Sequence, residues 1–153
     1  MTTKTALSLL SFLALANCDN GPVEPANLCA TVPLPLHGAA AGPVVVDVGL
    51  EVQPGIIVVV ATATDPQGTT NLGGLLQSVG VFANARCEGS PLTIQDDLAG
   101  SGVEETFGTA VDSLVNGTLY NAIAGATTWP VTVDFQDMDG NHTIGRVLAD
   151  VRH

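Results

Sequence analysis

The stretch 56–64 reads IIVVVATAT, and nothing else in the chain restricts the fold as strongly. Side chains branched at Cβ are stiff and crowd a helix but sit well on a pleated surface. In an extended strand Ile57, Val59, Ala61 and Ala63 share one face, and Val58, Val60, Thr62 and Thr64 share the other. The run is bracketed by Pro54-Gly55 and by Asp65-Pro66-Gln67-Gly68, a turn sequence in which proline sets φ at the second position and glycine closes the turn. Similar texture predicts strands at 44–52, 78–83, 91–95, 117–124, 129–135 and 142–151, while 107–115 fits either a short helical turn or an irregular strand. The segment 136–141 (QDMDGN) is a hairpin connection, because Asp-Gly and Asn tolerate positive φ. Charged residues are only 12%, and there are 17 glycines and 9 prolines, a composition that favours turns over long helices. About seven short strands without a long amphipathic helix imply an all-β domain over 44–153, two antiparallel sheets packed as a β-sandwich.

The N-terminus has a different character. Lys4 precedes a largely apolar run at 6–16, followed by small residues. That is the layout of a signal segment, and the run is too short to span a bilayer. Two cleavage readings compete. Ala14-Leu15-Ala16 suits ordinary signal peptidase. Leu15-Ala16-Asn17-Cys18 resembles the lipobox of bacterial lipoproteins, which implies a signal peptide at 1–17 and lipidation of Cys18; Asn17 stands where lipoboxes carry Gly, Ala or Ser. Residues 18–43 hold Pro22, Pro25, Pro33, Pro35 and Pro43, so they read as a proline-rich tether in extended conformations. Leu34 and Leu36 offer an alternative, docking on the domain and shortening the reach. The expected location is therefore the cell envelope, periplasmic or at the cell surface, with the membrane as a partner through the lipid anchor.

The chain contains three cysteines, Cys18, Cys29 and Cys87. With Cys18 acylated, export leaves Cys29 and Cys87 to form a disulfide; two free buried thiols are the alternative. There are 15 acidic residues against 4 basic ones, a formal net charge of −11. Without the signal segment the only bases are Arg86, Arg146 and Arg152. Such a surface repels phosphate backbones, so no nucleic-acid partner is expected.

Two stretches, IIVVVATATDPQG followed by SVGVF and WPVTVDFQDMDGNHTIGRVLADV, resemble strands and the closing hairpin of bacterial immunoglobulin-like and cadherin-like domains. The resemblance implies an immunoglobulin-like sandwich acting as a spacer, adhesion module or carbohydrate-contacting accessory rather than a catalyst.

Catalytic groupings are weak. Ser101 lies in Gly-Ser-Gly rather than a nucleophile elbow, His37, His142 and His153 are scattered, and no glycine-rich phosphate loop occurs. The best constellation is acidic. In the expected strand order, loops carrying Asp65, then Asp96 and Asp97, then Asp137, Asp139 and Asn141 gather at one end. Oxygen ligands converging there suit calcium; alternatively each acid caps its own turn. Trp129 suits core or rim packing better than a sugar platform. The chain is thus expected to be a non-enzymatic structural or interaction module of the cell envelope with no cofactor other than calcium. The alternatives are a subunit of an extracellular assembly completed by strand addition, with self-assembly, and a calcium-dependent binder of a protein or carbohydrate ligand.

Overall fold

The computed structural model describes residues 29–39, 41–67, 72, 76–97, 109–112 and 117–153; the expected signal segment, Cys18 and Ser101 lie outside them. Along these residues run β1 (Leu36–His37), β2 (Val44–Gln53), β3 (Ile56–Thr64), β4 (Leu76–Val81), β5 (Leu92–Asp97), β6 (Thr109–Asp112), α1 (Thr118–Ala124), β7 (Thr128–Gln136) and β8 (His142–Arg152). The all-β expectation holds, and the ambiguous 107–115 segment contributes a strand.

The strand order is β5-β4-β7-β8-β2-β3-β6, with β1 paired to β2. Pairing is antiparallel everywhere except at the β2–β8 junction. The sheet is therefore mixed rather than wholly antiparallel. The first long strand and the last run in the same direction, and no hairpin can join strands that do so.

Buried residues from both halves of this order form one cluster: Val48, Leu50, Ile57 and Val59 from β2 and β3, with Val79, Val131, Val133, Phe135 and Val147 from β4, β7 and β8. A single core shared by both halves is compatible with a β-sandwich. Burying one such large side chain contributes about 1.5–3 kcal/mol. On β3 the buried set is Ile57, Val59, Ala61 and Ala63, the face its alternation predicts. On β2 the parity changes. Val45, Val48 and Leu50 are all buried while Val46 is exposed, which a regular pleat forbids. A register shift between Val45 and Asp47 resolves the conflict, because a bulge inserts one residue and returns the next to the core side.

The 117–124 strand expectation is corrected: Thr118–Ala124 is helical, entered from Gly117 at φ 65° and closed by Gly125, whose N–H donates to Asn121 O. Ile123 is fully buried, and Leu119, Tyr120 and Ala126 pack on the core beside it. The spacing of Leu119 and Ile123 is that of one helix face. Tyr120 Oη donates to Gln53 O at 3.0 Å, fixing the helix against the end of β2.

Candidate functional site

The acidic end was the sequence's strongest candidate, and the registers do bring its parts to one end. Asp96 opposes Gln77 at the start of β4, and the Gln77 side chain bonds the backbone of Gln136 at the end of β7. Thr64, just before Asp65, opposes Val44 at the start of β2, and Thr143 at the start of β8 donates its hydroxyl to Pro43 O. The ends of β3, β5 and β7 therefore lie together. Yet among the described residues no group of three or more His, Cys, Asp or Glu side chains is placed to hold a metal ion. Of the expected set Asp65, Asp96, Asp97, Asp137, Asp139 and Asn141, the Asp97 side chain lies outside the described residues.

Two of these acids bond within their own turns. Asp137 is buried and directed at its own turn: Oδ1 accepts the Asn141 backbone N–H at 2.8 Å and Oδ2 accepts Asn141 Nδ2 at 2.9 Å. Asp137 N donates to Asn141 O, and Gly140 N to Asp137 O, with Gly140 at φ 83°. Burial pushes the Asp137 carboxyl up, but the hydrogen bonds from Asn141 and from the backbone at Asp139 and Gly140 outweigh it and hold the pKa below its ordinary 3.8. Met138 and Asp139 are left exposed at the tip. Asp65 closes its turn by accepting Gln67 N–H on Oδ1 at 2.8 Å; its buried Oδ2 has no partner among the described residues. Asp96 also has a partner of its own, and Asp97 is the last residue of β5.

Two polar groups that composition did not single out brace this end. Gln77 is fully buried; its amide donates to Gln136 O at 2.8 Å and accepts from Gln136 N at 2.7 Å, acting as one more rung of the β4–β7 ladder. His142 Nδ1 lies 2.8 Å from Asp134 Oδ1 on the surface of the hairpin. Trp129 is buried, with Nε1 donating to Phe82 O at 2.9 Å, so its ring is part of the core and not a sugar platform.

The second candidate region is the segment 29–37, which lies on the domain as a strap. Cys29 and Cys87 form the expected disulfide, with Cα atoms 5.4 Å apart. Cys87 sits in the β4–β5 connection at φ 58°, where Asn84 Oδ1 accepts the N–H groups of Arg86 and Glu88. Val32 N donates to Arg146 O at 2.8 Å, and the Arg146 guanidinium lies 5.2 Å from the centre of the Phe82 ring. Leu34 and Leu36 pack on the core. Leu36 rests on Gly145, where a Cβ would come within 2.7 Å of its side chain. The docking alternative for Leu34 and Leu36 is thus the arrangement found.

Where the strap crosses β2 and β8 it leaves a groove of about 480 Å³ lined by Thr31, Val32, Pro33, Leu34, Val46, Asp47, Leu148 and Asp150. Arg152 binds Asp47 at its edge, with Nη2 2.7 and 2.6 Å from the two carboxylate oxygens. This bond raises the guanidinium pKa above its ordinary value, opposed by burial and reinforced by the charges of Asp47, Asp150 and Glu51. The guanidinium lies across Gly49, where any Cβ would collide with it at 2.7 Å. None of these apolar groove residues was marked as a site by the sequence; the only signal was the apolar Val44-Val45-Val46 run ahead of Asp47. No protein-family model, curated protein or solved structure matches the chain.

Proposed function

We propose that this chain is an exported, lipid-anchored and non-enzymatic structural or interaction module of a bacterial cell envelope, its domain an immunoglobulin-like sandwich held near the membrane by a short tether. The main support is the Cys29–Cys87 disulfide, since such bonds persist in oxidising compartments outside the cytosol. It joins the point where the tether meets the domain to the β4–β5 connection, so any pull through residues 18–28 is delivered to the folded unit and not to a loose end. The apolar run at 6–16 behind Lys4, and Cys18 placed after it, supply the export and acylation signals. The strand order is the one in which an immunoglobulin-like sandwich places its first and last strands side by side, which favours the finer fold reading.

Intact-mass spectrometry of the exported protein tests this. The expected species begins at Cys18, carries a diacylglyceryl group, and is two hydrogens lighter than the thiol form of Cys29 and Cys87. A chain still starting at Met1 with three free thiols overturns the proposal; a chain starting at Asn17 without lipid removes the anchor alone.

A further inference from the structure

We propose that the groove between the strap, β2 and β8 binds an extended, apolar peptide segment of a partner protein that carries a lysine or arginine. This deepens the interaction-module reading and rests on it, but it does not depend on the lipid anchor.

Three observations meet in the groove. Seven large apolar side chains are exposed among the described residues, and three of them, Val32 at 45%, Val46 at 42% and Leu148 at 42%, line this one groove. Its volume, about 480 Å³, suits a few side chains of a peptide rather than a whole domain. Next to it β2 has an open edge. β1 pairs only with Val44 and Val45, and β8 begins to pair at Gly49, so residues 46–48 are in no described ladder on that side, while Asp47 and Val48 pair with β3 on the other. Unpaired strand edges are where extended peptides add.

Charge selects the occupant. Asp47 and Asp150 both line the groove and Arg152 is bonded to Asp47, so one guanidinium serves two carboxylates and the rim keeps an excess of negative charge. A second copy of the chain is a poor fit at net charge −11, because Arg146 is stacked on Phe82 and Arg152 is bound to Asp47, and the exposed Arg86 stands beside the disulfide in the β4–β5 connection rather than in an apolar strand. The chain's own upstream residues are no better, since 19–28 contain Asp19 and Glu24 and no base. A basic, apolar strand satisfies the edge, the exposed side chains and the rim together.

The test uses the exported protein, isotope-labelled, titrated with capped hexapeptides that alternate Val–Lys, Val–Glu or Thr–Lys. The Val–Lys peptide is expected to give saturable amide shifts centred on Val32, Val46 and Leu148. Leu148→Lys, a change at an exposed position, should weaken it about tenfold, and Asp150→Asn about threefold, with melting unchanged in both. Equal binding of the Val–Glu peptide overturns the charge argument, and equal binding of the Thr–Lys peptide reduces it to unspecific attraction. Absence of any saturable shift up to about 2 mM overturns the proposal, as do shifts at the same residues on concentrating the protein alone, which would make a second copy the occupant. The mass of the same sample reports on export and acylation independently, so either idea can fail without the other.

Discussion

Strand β8 has two edges, and they are held by different means. Along β7 it makes nine cross-strand pairs in unbroken register, from Thr128 opposite Asp150 to Gln136 opposite His142. Along β2 it makes three, Gly49 to Glu51 opposite Asp150 to Arg152. The first edge is organised by a turn whose residues bond one another through the Asp137 carboxylate. The second is assembled from parts distant in the chain: a strap bonded at Val32, a leucine seated on Gly145, an Asp47–Arg152 pair separated by 105 positions and a disulfide spanning 58. One edge closes a short loop at little entropic cost; the other must close long ones and uses covalent and ionic links to do it. The poorly paired edge is also the one that leaves a groove.

Breaking the disulfide with Cys29→Ser and Cys87→Ser should have the largest effect. Opening a loop of 58 residues costs roughly 4 kcal/mol in the chain-entropy model, seen as a lowered midpoint in urea. Amide exchange should separate the edges: the strap and residues 44–48 lose protection first, and the β7–β8 hairpin last. Equal loss at both edges would mean that the disulfide does not hold the seam in particular.

At the other edge, acid is the lever. A depressed folded-state pKa makes Asp137 stabilising at pH values above its unfolded pKa near 3.8, and that contribution disappears as pH falls through the lower folded value. Asp137→Asn should therefore lower stability at neutral pH and flatten the acid limb of the stability–pH curve. An acid limb identical to that of the parent protein would assign the acid sensitivity elsewhere.

The smallest effect belongs to the seam's ion pair. Asp47 and Arg152 side chains are 36% and 38% exposed, so solvent screens them, and Arg152→Gln should cost about 0.2–1 kcal/mol. The loss should shrink further in high salt, whereas the effect of Asp137→Asn should persist there, because a buried hydrogen-bonded carboxylate is screened far less.

How much of this was legible varies with distance along the chain. The two faces of β3, the 136–141 turn and the burial of Trp129 could be read from neighbouring residues. The helix at Thr118–Ala124 was readable in principle, since Gly117 and Gly125 bracket it and Leu119 and Ile123 are four apart, but its β-like composition pointed elsewhere. The acidic residues of the described part were placed correctly at one end, and the local capping alternative is the one seen at Asp65 and Asp137, where a carboxylate bonds within two to four residues of itself.

Taken alone, the amino-acid order determined most of the strand segments, which residues of β3 share the inward face, and where the chain turns, since alternation and turn chemistry act over a few residues. Tertiary structure alone decided that β2 shifts its parity at Val46, that β8 runs parallel to it, that residues 29–37 lie on the domain, and that Val32, Val46 and Leu148 share one groove. Those outcomes depend on closing loops of tens of residues around a common core, and contacts made across such separations leave no periodic mark in the sequence.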